Sequence, residues 1–416
     1  MLADAGALLA LSSTANAGIT IPAGDWTLDI GGVVNAYYTS TSFSGDDATA
    51  GERGNGKTVN NITTGLLPNY LSVSGKSRQN DLDIAFTISI NPGASTTQAG
   101  IQSANQENRQ AFLTIGDASW GSVKLGKDLG IYASDAILND MTLLGVGSAA
   151  GSLAGNTTTL GRIGRGYMYA DWKSQIAYTT PNWNGFQATV GVTQGWNALN
   201  SLNTVSAAGE ITALGGAGSD ERSGSAPAFE GKASYAWTGD VAGKVWASAI
   251  SQKVEGLGNG VAVGYGQAAI ANTVTSAADR ATAWDIGTNV NVAGFGLTAY
   301  YGQGKGIGQT VQLLNGFDAA GKRRDSDQWY VQATYALPTA TKIGVAYGES
   351  TLDGNRGEFK DIKHDMWTVG AYHPLTKSVN LVAEYSEANN ETNNRGATAN
   401  TDLKAKTVSL GAILFF

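Results

Sequence analysis

The sequence predicts an all-β protein, a transmembrane antiparallel β-barrel of about sixteen strands with short turns at one end and long loops at the other. Polar and apolar residues alternate with a period of two along most of the 416-residue chain. Charged residues make up only 15%, against about 25% in a typical soluble domain. No stretch approaches the roughly 18 consecutive apolar residues of a membrane helix. A closed β-barrel is therefore the main way in which this chain could span a membrane.

The alternation fits strands with one apolar and one polar face. Ile84, Phe86 and Ile88 share one face of a segment whose other face carries Thr87 and Ser89. A soluble β-sandwich also alternates in this way. These segments, however, run for about ten residues, which is the length of a tilted membrane strand.

The lengths of the connections point to the same class. Short links such as "RQN" after Ser77, "TGD" after Trp237 and "AG" after Val292 alternate with long polar links. Short periplasmic turns and long extracellular loops are typical of outer-membrane barrels. The strands are predicted at 25–38, 70–78, 82–91, 108–117, 120–127, 172–180, 185–194, 228–238, 241–253, 281–292, 295–303, 326–337, 340–350, 363–373, 378–387 and 401–416.

The N-terminus is similar to the second half of a secretory signal peptide. A short apolar stretch, Ala7 to Leu11, precedes the small-residue site that ends at Ala17, although the usual positive charges before the apolar stretch are missing. An apolar tail is the alternative interpretation. We therefore predict a truncated signal peptide at 1–17 and a single barrel domain at 18–416.

Composition also restricts the partners. The chain has no cysteine, so disulfides and thiolate metal sites do not arise, and no cofactor is predicted. The net charge of -7 argues against nucleic acid as a partner.

Four stretches resemble the general porins of Gram-negative outer membranes, the trimeric sixteen-stranded family. They are "NRQAFLTIGDASWGSVKLGKDLG" (108–130), "SQIAYTTPNWNGFQATVGV" (174–192), "WYVQATYALPTATKIGVAYGES" (329–350) and the closing "VSLGAILFF". The resemblance implies a homotrimer in the outer membrane that contacts lipid and lipopolysaccharide and catalyses no reaction. It implies a water-filled channel for passive diffusion of small hydrophilic solutes and ions.

The resemblance also implies that the third long loop, residues 128–171, folds into the lumen and narrows it. Loop acids would then face wall bases across a constriction. The expected acids are Asp135 and Asp140. The expected bases are Lys76, Arg78, Arg109, Lys124 and Lys173.

The strand period supports most of these bases. Lys76 and Arg78 alternate with Leu71 and Val73, and Lys124 alternates with Val123. Lys173 similarly alternates with Ile176 and Tyr178. A base on the lipid face at the bilayer midplane costs roughly 2 to 4 kcal/mol, so inward placement is favoured. Arg109 shares the parity of Leu113 and therefore needs a bulge or a place near the strand end.

Two alternatives stay open. In a porin selective for a sugar or an anion, Tyr132, Tyr167 and Tyr169 would form an aromatic path for the solute. In a barrel-anchored enzyme or adhesin, His364 or His373 would take part in catalysis. The sequence does not decide ion selectivity.

The chain ends on an apolar strand. Val408, Leu410, Ala412 and Leu414 share one face with Phe416. This strand is predicted to pair with the first one and close the barrel. In the porins that the chain resembles, the terminal aromatic residue is also the signal that the barrel assembly machinery recognises, which assigns that role to Phe416.

Overall fold

The computed structural model describes residues 18–45, 56–95, 106–148, 157–200, 203–205, 211–213, 217–221, 224, 226–259, 273–396 and 399–416. The signal peptide predicted at 1–17 lies outside the described residues. None of the helices in the described ranges is long and apolar enough to cross a bilayer.

Strands dominate the described residues. The two helical pieces are α1 (Ser134–Leu138) and a 3₁₀ helix (Met141–Leu144). The strands are β1 (Ile19–Ala23), β2 (Trp26–Ser44), β3 (Thr58–Thr63), β4 (Tyr70–Gln79), β5 (Leu82–Pro92), β6 (Gln106–Glu107), β7 (Ala111–Asp117), β8 (Gly121–Leu129), β9 (Trp172–Thr179), β10 (Phe186–Thr193), β11 (Asn203–Val205), β12 (Ile211–Ala213), β13 (Ala217–Glu221), β14 (Ala228–Trp237), β15 (Val241–Asn259), β16 (Thr273–Val292), β17 (Phe295–Lys305), β18 (Asp325–Ala336), β19 (Lys342–Asp353), β20 (Asp361–Pro374), β21 (Val379–Asn393) and β22 (Thr401–Phe415).

Sixteen of the described strands form one closed antiparallel ring. The predicted pairing of the last strand with the first is confirmed, because β22 pairs with β2 from Val33↔Phe415 to Ser44↔Lys404. The ring runs β2, β4, β5, β7, β8, β9, β10 and then β14 to β22 in order. A closed ring has no unpaired edge, so every backbone group at membrane depth finds a partner.

The short connections are turns that the sequence specifies. Asn80 and Asp81 join β4 to β5, and both have positive φ angles, 48° and 60°. Asn and Asp tolerate this conformation, which matches the twist of the flanking strands. Ala293 and Gly294 join β16 to β17 in the same way, with φ angles of 48° and 84°.

The two faces of the strands differ as the alternation predicts. On β2, Val34 and Tyr38 point outward and are 57% and 49% exposed, whereas the inward Tyr37 is only 1% exposed. Such outward apolar side chains recur around the ring, at the position where lipid tails replace water. The inward face carries mostly Ser, Thr, Gln and Asn side chains.

The predicted strands are confirmed near the short turns and are longer than predicted at the other end. β15 continues to Asn259, β16 begins at Thr273 and β21 continues to Asn393. The first long connection also contains the end of β2 and the additional strand β3. In the extensions of β15 and β21 the outward residues are polar, so the apolar alternation stops before the hydrogen-bonded ladder does.

Most of the buried apolar side chains lie inside the barrel rather than between layers. Residues 130–171 join β8 to β9, and their described parts, 130–148 and 157–171, enter the lumen as predicted; we call this segment the inner loop. Its Ile137, Leu143 and Val146 pack against the inward Tyr330 and Ile413 of the wall. The fold therefore places a compact loop across one side of the lumen.

Candidate functional site inside the barrel

The beginning of the inner loop is held by an acidic side chain of the wall. The Glu230 carboxylate on β14 accepts hydrogen bonds from the backbone N–H groups of Ile131 and Tyr132, each at 2.9 Å. Its other oxygen, Oε1, lies 2.6 Å from Lys173 Nζ on β9. Lys173 follows the end of the same loop, so this one contact holds both ends of the loop together. Gln312 accepts a second hydrogen bond from Lys173 Nζ at 2.8 Å.

Asp135 lies on α1 and faces the wall. Its carboxylate contacts Lys244 of β15, and Lys232 Nζ of β14 lies 3.6 Å from Oδ2. Asp135 is almost fully buried, whereas Lys232 and Lys244 keep 18% and 35% of their side chains exposed. Burial alone would raise the pKa of Asp135, but the two lysines hold it below its ordinary value. Two cations therefore share one carboxylate at this point of the lumen.

Asp140 is used within the inner loop itself. Its carboxylate caps the 3₁₀ helix by accepting from the Thr142 N–H at 3.0 Å, and it also accepts from the Tyr167 hydroxyl at 2.8 Å. The fully buried Arg162 lies 3.9 Å from it. The Asp140 side chain is not exposed, so it does not face the open lumen.

A second wall acid holds the far part of the loop. The Glu384 carboxylate on β21 accepts hydrogen bonds from the N–H groups of Val146 and Gly147 at 2.8 and 2.9 Å. The Tyr372 hydroxyl donates to its other oxygen at 2.7 Å. Tyr37 of the first barrel strand donates to the Leu144 carbonyl at 2.7 Å. Glu230 and Glu384 thus bind two consecutive backbone N–H groups each, at opposite ends of residues 131–147.

Three of the predicted bases face inward near the short turns. Lys76 is exposed on the inward face of β4. Arg78 binds Asp83 at 2.8 Å and Asp117 at 3.0 Å, and half of its side chain is exposed. Lys124 lies 2.6 Å from Asp128 and is 17% exposed. Their effect on a passing solute stays a prediction.

The other two predicted bases are buried near the extracellular end. Arg109 is 5% exposed, pairs with Glu107 at 2.8 Å and lies over the Trp172 ring at 5.6 Å. It precedes β7 in an irregular stretch, which resolves its conflict with the parity of Leu113. Lys173 is fully buried against Glu230. Both contact the inner loop or its ends rather than the open lumen.

Sequence reasoning missed several inward-facing ionisable residues. Glu230 and Lys232 alternate with the outward Phe229, and Lys244 alternates with Val245, so the same parity test would have found them. The resemblance directed attention to other strands. The missed residues include Glu230, Lys232, Lys244, Asp285, Lys342 and Glu384.

A second loop also packs inside the barrel. Residues 306–324, the second inner loop, join β17 to β18 and bury Ile307, Leu313 and Phe317. Thr310 accepts from the Tyr169 N–H at 3.0 Å, and Gln312 donates to the Tyr169 carbonyl at 3.1 Å. The second inner loop therefore packs against the end of the inner loop around Tyr169 and holds it in place.

The structure shows where the residues of the two alternatives lie: the tyrosines of a solute-selective porin and the histidines of a barrel-anchored enzyme. Tyr132 and Tyr167 are 2% and 0% exposed, so their rings are not available to a solute, and Tyr169 is half-buried. His364 points inward on β20 and is buried in the wall. His373 points outward on the same strand and bonds Thr341 at 2.9 Å. Because they lie on opposite faces, the two histidines do not form a shared site.

The last residue continues the barrel ladder. Gly32 and Phe416 exchange two backbone hydrogen bonds, at 2.8 and 3.1 Å. The Phe416 ring packs over Gly32, where an added Cβ would lie 2.8 Å from the ring Cζ. Gly32 therefore makes room for the terminal aromatic ring.

Comparison with known proteins gives one family. The sequence matches the family model of Gram-negative porins over residues 5–393. No curated protein sequence matches significantly.

Several solved structures share the fold. An anion-selective porin from Comamonas acidovorans has a TM-score of 0.58 at 14% identity, over 94% of this chain and 100% of the other. The outer membrane channel DcaP of Acinetobacter baumannii has a TM-score of 0.65 at 15% identity, over 96% and 100%. The trimer form of OmpT from Vibrio cholerae has a TM-score of 0.54 at 14% identity, over 94% and 99%.

Proposed function

The chain belongs to the Gram-negative porin family and forms an outer-membrane channel, and on that premise we propose that its lumen passes small hydrophilic solutes with a preference for anions. The inner loop narrows the lumen along one side. The solute path then runs between this loop and the wall. No reaction accompanies passage.

One observation supports the preference: near the short turns, where the exposed carboxylate of Asp83 is paired with Arg78, five lysines with accessible side chains face inward. They are Lys76, Lys124, Lys232, Lys244 and Lys342. Lys232 and Lys244 share the single carboxylate of Asp135. In the described part of the chain, Lys76 and Lys342 make no ion pair.

Asp128 offsets Lys124, whereas the wall acids Glu230 and Glu384 do not offset the other lysines in the open lumen. The Glu230 and Glu384 carboxylates are buried and turned toward backbone N–H groups of the inner loop. Charges that line a narrow aqueous path set its ion preference, because a low-dielectric wall focuses their field on the solute. The net charge of -7 includes residues of the long loops and therefore does not oppose an anion preference. The structurally similar Comamonas acidovorans porin is anion-selective.

Liposome swelling with solutes of matched size tests this proposal. Proteoliposomes in an isotonic solution of a small neutral sugar, a carboxylate salt or an amine salt report the three permeation rates. We expect the carboxylate to enter faster than an amine of equal size, and the sugar to enter measurably. Equal entry of both ions, or faster entry of the amine, would contradict the anion preference.

A homotrimer is the second part of the proposal. The outward face of β2, β4, β5, β7 and β8 is mostly aliphatic, with exposed Val34, Ile88 and Leu113. The outward face of β14 to β20 carries aromatic residues such as Tyr235, Trp284, Phe295 and Trp367. Aromatic girdles mark strands that face lipid headgroups, so the sector with fewer outward aromatic residues suits contact with another copy.

The absence of cysteine allows a clean test of this interface. A photoreactive group attached to Ile88→Cys is expected to cross-link to a second copy. The same group on Leu297→Cys, which is 52% exposed on β17, is the control and is expected to label lipid. Cross-linking from Leu297→Cys alone would place the interface elsewhere.

The remaining partners follow from the membrane location. We expect lipid around the aromatic sector and lipopolysaccharide at the extracellular rim. There, outward charges such as Arg280 and Lys305 lie above Trp284. We also propose that the barrel assembly machinery recognises Phe416 and that the segment at 1–17 directs export of the chain. The opposite-face placement of His364 and His373 gives no support to an enzyme.

A further inference from the structure

The edge of the inner loop that borders the open lumen carries leucine side chains. Most of its described residues, in 130–148 and 157–171, are buried between the loop and the wall. Leu138, Leu144 and Leu160 remain half-buried, and each packs at the margin of the apolar cluster inside the barrel. Because the loop is enclosed by the barrel, the exposed parts of these side chains face the lumen.

Leu138 lies beside the two lysines that share Asp135. Asp135 and Leu138 are three residues apart on α1, so their side chains are neighbours on one helix face, with Cβ atoms roughly 5–6 Å apart. The Asp135 carboxylate contacts Lys244, and Lys232 Nζ lies 3.4 Å from the hydroxyl of the adjacent Ser134. An apolar surface and two partly exposed ammonium groups thus meet at one point of the channel.

Asp135 contacts both lysines, and a second carboxylate near it, Asp285 of β16, is buried and accepts hydrogen bonds from Ser248. Lys244 is the more exposed lysine, at 35%. It can therefore accept a second anionic partner from the lumen while Asp135 stays in place.

We infer that this point is a binding site for small organic monocarboxylates that carry an apolar body. The carboxylate contacts Lys244 and Lys232, and the apolar body lies on Leu138. This inference rests on the proposed anion preference and adds the class of anion. Inorganic anions and acetate use only the charged half of the site.

The expected gain in affinity over acetate comes from contact between the apolar body and Leu138. Covering one face of a six-membered ring removes on the order of 50 Å² of apolar surface from water, which corresponds to roughly a five- to tenfold gain in affinity. Such weak binding holds a solute briefly at the constriction and lets it leave.

Block of the chloride current through single channels in a planar bilayer tests the inference. Benzoate and cyclohexanecarboxylate are expected to block at about five- to tenfold lower concentration than acetate. Benzamide has the same ring without the charge and is expected not to block. Leu138→Asn is expected to remove the difference between benzoate and acetate. Lys244→Gln is expected to weaken block by both.

Leu160→Asn is the matched control, because Leu160 is also half-buried but belongs to the returning part of the loop, where its neighbour Gly161 lies against Leu66. It is expected to leave the block unchanged. Equal block by benzoate and acetate in a channel whose reversal potential is anion-selective would overturn this inference and leave the proposed function standing. A cation-selective reversal potential would overturn the proposed function itself. Loss of discrimination in Leu160→Asn but not in Leu138→Asn would also overturn the assigned site.

Discussion

Lys173 Nζ lies 2.6 Å from Glu230 Oε1, and neither side chain is exposed. Glu230 holds the N–H groups at the start of the inner loop, and Lys173 follows its end. Gly130 also donates its N–H to the Asp171 carbonyl at 2.7 Å. The ion pair therefore fixes the base of the loop at the wall.

Removing one member of this pair should loosen the loop and destabilise the barrel. Lys173→Met leaves Glu230 buried without its cation, which costs about 3 to 5 kcal/mol when a buried pair is broken. We expect a lower unfolding temperature and larger fluctuations of the open-channel current. Thermal unfolding in detergent and current noise in bilayers measure the two effects.

The exposed pair Lys305–Asp325 is the matched control. Its side chains are 57% and 55% exposed, so Lys305→Met should change neither quantity appreciably. If Lys173→Met unfolds and conducts like the unmodified protein, the ion pair does not hold the loop.

Glu230 and Glu384 should protect different backbone amides of the inner loop from hydrogen exchange. Glu384→Leu removes the oxygen Oε2, which accepts from both the Val146 and the Gly147 N–H groups. Hydrogen exchange should then accelerate at 146–147 and stay slow at 131–132. Glu230→Leu removes the shared acceptor of the Ile131 and Tyr132 N–H groups and should give the reverse pattern. Acceleration of both segments in both variants would mean that the loop moves as one body.

The pH dependence of ion preference should follow Asp135. The lysines hold the pKa of Asp135 below its ordinary value of about 3.9, so its charge is constant between pH 7 and 5. The ion pairs are present above that value and are lost as the pH falls through the lowered pKa. Once the pH has fallen through this lowered pKa, protonation of Asp135 should leave Lys232 and Lys244 unshared and strengthen the anion preference.

Asp135→Asn should reproduce the acidic behaviour at neutral pH. Its reversal potential at pH 7 should be more anion-selective than that of the unmodified channel and should change less on acidification. A decrease in anion selectivity in Asp135→Asn would show that the carboxylate organises the lysines rather than offsetting them.

Gly32 and Phe416 should be needed together for assembly. Deletion of Phe416 removes two backbone hydrogen bonds to Gly32 and the ring that covers it. Gly32→Val should displace the same ring and also clash with the Tyr70 carbonyl of β4. Both changes should lower the amount of folded protein in the outer membrane without changing the conductance of the channels that do assemble.

Gly231→Ala is the control for the glycine substitution. A Cβ there meets its nearest atoms at 3.5 Å, which is ordinary contact, so insertion should be normal. Normal assembly of the protein without Phe416 would remove the role assigned to the terminal residue.

The strands could be predicted because lipid and water impose a simple period on each one. Phe86 and Thr87 are placed correctly by parity alone. The outer end of β21 was missed because Asn389 and Glu391 face outward above the membrane, where polar residues are tolerated on both faces. The alternation of polar and apolar residues ends there, although the backbone pairing of the strands continues.

The site could be predicted only in part. Parity identifies Lys173 as inward-facing. An inward side chain is not exposed to the lumen where a loop covers the wall, and parity does not show which wall residues the loop covers. Loop residues have no period, so the sequence did not show that Asp140 turns back into its own loop. The second inner loop was missed because Ile307, Leu313 and Phe317 follow no regular spacing.

The reversal potential in a potassium chloride gradient tests the central claim most directly. Single channels of the unmodified protein between two different salt concentrations should give a potential of the sign that chloride selectivity requires. Lys232→Gln combined with Lys244→Gln should bring it toward zero. A potential of the opposite sign in the unmodified channel, or one that the double substitution leaves unchanged, would contradict the account.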